Sequence, residues 1–150
     1  MSRQKDVGFK ENFLKREGRL NRWRYFKRSI AFGMMFFLVI LIVVIAMIFI
    51  NPSENFSSFE AVVFKIICIA ALYPIFCLMV RRLHDIDENE KIAYISIALS
   101  IASIILTDLN AQEKSLYASI LSLMNSVINI YVLLCPGTKG DNKYGSDPLE

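Results

Sequence analysis

His84 is the chain's single histidine, and it stands next to an acid in Arg81-Arg82-Leu83-His84-Asp85. A His-Asp pair can serve as a general acid and base, or begin a metal site. The metal reading lacks ligands: adjacent residues on a helix do not face each other, and further histidines are missing. The second block able to do chemistry is Pro136-Gly137-Thr138-Lys139-Gly140-Asp141-Asn142-Lys143-Tyr144-Gly145-Ser146-Asp147-Pro148. Its glycines do not form a phosphate loop, since G-x-x-x-x-G-K-[ST] is absent and no strand precedes them. Gly137, Gly140 and Gly145 are expected to supply positive-φ turns, with Asn142 and Asp147 bonding to nearby backbone. The third block, Gly18-Arg19-Leu20-Asn21-Arg22-Trp23-Arg24-Tyr25-Phe26, offers arginines suited to phosphate, Asn21 as a helix cap, and two interface aromatics. No cofactor is implied by any of them.

Apolar helices must position these blocks. Residues 30–50 contain no charge over 21 positions, enough for a helix to cross the ~30 Å hydrocarbon core of a bilayer. Arg22, Arg24, Lys27 and Arg28 form a basic collar before it. The run starts too late and is too long for a cleavable signal peptide, and Asn51-Pro52 follows it rather than a small-residue cleavage site. Three more apolar stretches follow at 61–80, 92–109 and 116–135; the strictly apolar part of the third covers only 92–107. Lys65 is expected to snorkel to the interface and Pro74 to kink the second helix. Asp87 and Glu90 have capping-box spacing for the third. With 55% hydrophobic residues and mean hydropathy +0.43, the expectation is an all-α membrane protein of one domain. It has a basic N-terminal segment (1–29), a bundle of four transmembrane helices (30–135) and a Gly-rich tail (136–150).

Charge sets the orientation. The N-terminal segment, the 81–91 connection and the tail carry fifteen Lys and Arg, and the opposite side carries one, Lys114. By the positive-inside rule both termini are cytoplasmic, and all three chemical blocks share that face. A basic arm abutting a membrane span points to anionic lipid rather than nucleic acid. The three cysteines give neither a disulfide framework nor a metal spacing.

Helices three and four carry small polar stripes: Ser96, Ser100, Ser103 and Thr107 on one, and Ser119, Ser122, Ser126 and Asn129 on the other, with Asn125 beside them. Such stripes let membrane helices approach and hydrogen-bond at roughly 0.6–2 kcal/mol per bond. A polar path for a small solute is the alternative, but no acid or base lies mid-helix to serve it.

The order GR-x-x-R before helix one, RRLHD after helix two and PGTKGDNKYGSDP at the end resembles the domain-of-unknown-function family 805 of small bacterial inner-membrane proteins. The resemblance covers about residues 10–150. It implies a multi-span helical protein of the bacterial inner membrane, without an established activity. The family pattern continues after RRLHD with a glycine and a Ser-Gly-Trp-Trp-like turn. Here Asp87-Glu88-Asn89-Glu90-Lys91 replaces it, so a site built on that turn would be altered.

Together the blocks suggest a cytoplasmic clasp. In it Arg19, Asn21 and Arg22 meet Arg81, Arg82, His84 and Asp85, together with the tail residues Gly137, Lys139, Gly140, Asn142, Tyr144, Gly145 and Asp147. Three independent interface anchors are the alternative. The leading expectation for function is a non-catalytic protein whose basic face binds anionic lipid headgroups or a protein partner, a second copy included. A small-solute transporter using the serine stripes comes second, and an enzyme acting on lipid headgroups through His84 and Asp85 third.

Overall fold

The structure is a computed structural model and describes residues 8–50, 58–107 and 112–149. Among the described residues the chain is helical with no strand; a π-helical turn, Lys10–Leu14, precedes four α-helices. These are α1 (Arg22–Ile50), α2 (Ser58–Asp85), α3 (Lys91–Leu106) and α4 (Gln112–Leu134). By length and composition three could cross a membrane: Arg22–Ile50, Phe59–Asp85 and Leu116–Leu134. The expected Asn51–Glu60 connection lies mostly outside the described residues, as does Asp108, the residue expected at the headgroups.

α1 starts at Arg22, behind the expected cap Asn21, whose Oδ1 accepts the Arg24 N–H at 2.8 Å; the charge-free run 30–50 is its later part. The basic collar is therefore helical. Helix boundaries differ from the sequence reading at two points. α2 runs unbroken through Pro74 to Asp85, so RRLHD is its last turn and not the start of a loop. α3 stops at Leu106, since Thr107 is already extended (φ −68°, ψ 98°). Lys65 reaches across to that end and donates to the Ile105 carbonyl at 3.4 Å.

The expected capping box at α3 does not form. Asn89 Oδ1 takes the Lys91 N–H at 3.0 Å, while Glu90 makes no capping bond. Asp87 is unavailable because it ends α2 in the left-handed conformation (φ 62°). Around it the Glu88 N–H bonds to Leu83 O and the Asp87 N–H to His84 O, a Schellman closure. That position favours glycine, which this chain lacks there.

Close packing is concentrated at one end. Every residue from Phe76 to Asp85 on α2 is buried, as is Ile86 just beyond it, surrounded by Leu20, Tyr25, Ala93 and Val132. The π-helical turn packs beside this stretch, where Cys77 Sγ donates to Leu14 O and Arg81 Nη1 to Glu11 O. Phe13, from the same turn, meets Phe32 of α1 at 5.9 Å between ring centroids. Away from this end the helices are loosely covered: Phe37, Leu38, Ile42, Ile48 and Phe49 of α1 are all exposed. An apolar surroundings would solvate such side chains, so they need no internal core.

The α3–α4 seam is held by polar groups. Asn125 accepts from Ser96 Oγ at 2.5 Å and donates to Ser100 Oγ at 2.9 Å. Ser103 Oγ lies 2.8 Å from Ser122 Oγ and donates to Ala118 O at 3.1 Å. Thr107, Ser126 and Asn129 bond back onto their own helices, and Ser119 is exposed. Five side chains thus join the helices, while Thr107, Ser126 and Asn129 bond within their own. Asn125→Leu should lower stability in detergent by about 1–2 kcal/mol in a denaturation measurement. Ser126→Ala, which removes only a bond within α4, should change it by less than about 0.5 kcal/mol.

Candidate functional site

The last turn of any helix leaves four carbonyls without partners. At the end of α2 they are filled from two parts of the chain, the residues that follow the helix and the tail. Glu88 N–H supplies Leu83 O at 2.9 Å, and Ile86 N–H reaches Arg82 O at 3.3 Å. Asn142 Nδ2 donates to His84 O at 2.9 Å, and Thr138 gives Asp85 O both its N–H (2.8 Å) and its hydroxyl (3.1 Å). Just before this turn, Arg81 O accepts the Leu20 N–H at 2.9 Å. The N-terminal segment and the tail therefore both close on one helix end.

Charge completes the closure. The Asp85 carboxylate is 2% exposed and lies between two arginines: Arg19 Nε at 3.3 Å and Arg82 Nη1. Each arginine then binds a different segment. Arg82, fully buried, donates through Nε to Val132 O at 3.1 Å and through Nη2 to Cys135 O, at the end of α4. Arg19 donates to Gly140 O at 2.6 Å, Gly145 O at 3.3 Å, and Thr138 O at 2.6 Å, all in the tail. Two cations face one anion, and the surplus positive charge is met by carbonyl dipoles, including the negative end of α4.

His84 is boxed in. Its ring stacks on Tyr144 at 3.9 Å between centroids, with an interplanar angle of 10°. Nδ1 lies 3.3 Å from Gly18 O and Nε2 lies 3.1 Å from Glu90 Oε1. Both neighbours are acceptors, so a neutral ring can donate to one of them and an imidazolium to both. The Tyr144 hydroxyl in turn donates to Glu88 O at 3.1 Å.

The tail's shape follows from its small residues. Gly140 (φ 74°) and Gly145 (φ 131°) take positive φ, while Gly137 does not, contrary to the sequence reading. Gly137 is needed for another reason: a Cβ there would run into the Asp85 carboxylate. Asp147 Oδ2 accepts the Gly140 N–H at 2.9 Å, and Asn142 Oδ1 accepts the Tyr144 N–H at 2.9 Å. Lys143 pairs with Asp87 at 3.3 Å. Desolvation alone would lower the Lys143 ammonium, but the Asp87 hydrogen bond and charge raise it above its ordinary value.

Of the residues singled out from sequence, Arg19, Arg82, His84, Asp85, Gly137, Gly140, Asn142, Tyr144, Gly145 and Asp147 come together here. Arg81 is buried at the edge, turned toward Glu11. Asn21 caps α1; Arg22 is exposed and reaches Leu134 O at 3.5 Å; Lys139 is exposed. Thr138, Glu90 and Arg16 were missed. The sequence gives Thr138 no signal beyond its place between Gly137 and Lys139, and the Asp87–Glu90 spacing points Glu90 to a cap. Among the described residues no three ligating side chains could hold a metal ion.

Removing one partner of a buried charge cluster leaves the others uncompensated. Asp85→Ala and Arg82→Ala should each lower stability by about 3 kcal/mol or more, read as a melting shift of the detergent-solubilised protein. Asp87→Gly should raise stability by about 0.5–1 kcal/mol by relieving the left-handed backbone, and Asp87→Ala should lower it.

The chain matches the family described as "Protein of unknown function (DUF805)" over residues 13–146. Comparison with curated proteins and with solved structures gave no match. The matched span holds all four helices, the Arg19–Asp85–Arg82 cluster and the tail through Gly145, so the chain belongs to the DUF805 family.

Proposed function

We propose that this is a non-catalytic integral protein of the bacterial inner membrane, crossing it four times with both termini cytoplasmic. Its exposed cations bind anionic phospholipid headgroups. The observation carrying this reading is a division among the basic residues. Arg19, Arg81 and Arg82 are buried in the clasp, whereas Arg22, Arg24, Lys27, Lys139 and Lys143 remain exposed. Trp23, 62% exposed, stands among them with Lys27 over its ring at 4.9 Å, an arrangement suited to an interface. Each such cation near an anionic surface contributes about 1 kcal/mol.

Two features support the non-catalytic part. His84 and Asp85, the pair that could have done acid–base chemistry, are buried and committed to structural partners. The hydroxyls of the α3–α4 seam bond one another, which favours packing over a solute path. Four spans require α3 to cross with its 16 residues, about 24 Å of helix, by drawing the bilayer thinner around the α3–α4 pair.

In nanodiscs of mixed composition the protein should retain anionic lipid in preference to zwitterionic lipid. Replacing Arg22, Arg24, Lys27, Lys139 and Lys143 together by Gln should reduce that preference at least fivefold. Equal retention of both lipids, with a protein partner captured instead by in-cell crosslinking, would overturn the lipid reading. A single cysteine at position 55 should react with an impermeant reagent only from outside the cell. Reaction from the cytoplasm would overturn the topology.

A further inference from the structure

Arg16 sits at the mouth of an apolar groove between α2 and α3. The groove has a volume of about 230 Å³ and is lined by Ile69, Tyr73, Phe76, Tyr94, Ile97 and Ile101, with one further apolar side chain. Along each helix it runs seven residues, from Phe76 back to Ile69 and from Tyr94 on to Ile101, about 10 Å. Phe76 and Tyr94 close its upper end, their rings 5.0 Å apart, and the Arg16 guanidinium lies 5.0 Å above the Phe76 ring.

The guanidinium is held from one side only. Its Nη2 donates to the Tyr94 hydroxyl at 3.0 Å and to Glu90 Oε2 at 3.3 Å. Among the described residues, Nη1 and Nε have no hydrogen-bond partner, and the side chain is 43% exposed. An arginine anchored through Nη2, with Nε and Nη1 unengaged, keeps its charge and single N–H donors for a phosphate oxygen. The neighbouring acid is already satisfied: Glu90 Oε1 faces His84 Nε2, and Oε2 faces Arg16. Lys91, exposed beside it, adds positive charge.

We propose that this groove is a specific site for an anionic phospholipid, one acyl chain lying along α2 and α3 while Arg16 holds the phosphate. This rests on the lipid reading above and assigns it a place separate from the exposed cations around α1 and the tail. The juxtaposition is what a single phospholipid needs: an apolar slot for a chain and, directly above it, a cation with free donors. Tyr94 serves both parts, its ring lining the slot and its hydroxyl fixing the arginine.

The test uses the full chain in nanodiscs containing phosphatidylglycerol with a diazirine on one acyl chain. Crosslinks in the wild-type protein should map to Ile69–Phe76 and Tyr94–Ile101, and excess unlabelled phosphatidylglycerol should compete at least fivefold better than phosphatidylcholine. Arg16→Gln should abolish that preference, and Ile97→Trp, which fills the slot, should remove the crosslinks. Arg16→Lys, which keeps the charge, should keep most of the preference. Crosslinks spread evenly over all helices of the wild-type protein would overturn the site, whatever the variants do. So would unchanged selectivity in Arg16→Gln alongside lost selectivity in the five-residue Gln variant, which would leave the general lipid reading standing. No selectivity in any protein would remove both.

Discussion

A carboxylate held between two buried arginines is the constraint on which the described structure turns. Taking three charges out of water is expensive, and such a cluster survives only when every donor and acceptor is met. Asp85 meets this requirement by drawing Arg19 from the N-terminal segment and Arg82 from its own helix. The arginines meet it by consuming carbonyls at the end of α4 and throughout the tail. None of these segments can leave without stranding a charge. The cluster contributes less as net stability than as a demand that four distant parts of the chain occupy one arrangement.

This demand also accounts for the uneven packing. At the clasp end the residues are buried as in an ordinary protein core, and the carbonyls of α2 are filled by Leu20, Thr138 and Asn142. Beyond it, α1 exposes almost all of its apolar length, and α3 and α4 adhere through five hydroxyl and amide side chains. Between apolar helices in an apolar solvent, hydrophobic burial gives no drive, so polar contacts and close approach must do that work. The chain thus uses two modes of cohesion, divided along the length of its helices.

Much of this was legible in the sequence, because periodicity and charge are local properties. Apolar runs located the helices, and Asn21 marked the start of α1 even though the charge-free stretch began later. What sequence could not supply was competition between partners. Asp87 and Glu90 had the spacing of a capping box, yet the first was needed to end α2 and the second is drawn to His84 and Arg16. Gly137 looked like one more turn glycine; only the approach of Asp85, 52 positions away, reveals why a side chain is excluded there. RRLHD lies at the boundary of an apolar run, and its burial as the last turn of α2 follows from Asp85 pairing with Arg19 and Arg82. Arg16 gave no signal at all, since its role depends on two aromatic rings brought together by packing.

The central claim is that Asp85 couples the N-terminal segment to the tail, and amide hydrogen exchange tests it directly. In the wild-type protein the amides of Leu20 and Thr138, both donors to α2 carbonyls, should be protected. In Asp85→Ala both should lose protection together, at least tenfold, while Ser103 within the α3–α4 seam keeps its own. Loss at Thr138 with Leu20 unchanged, or at Leu20 with Thr138 unchanged, would contradict the account.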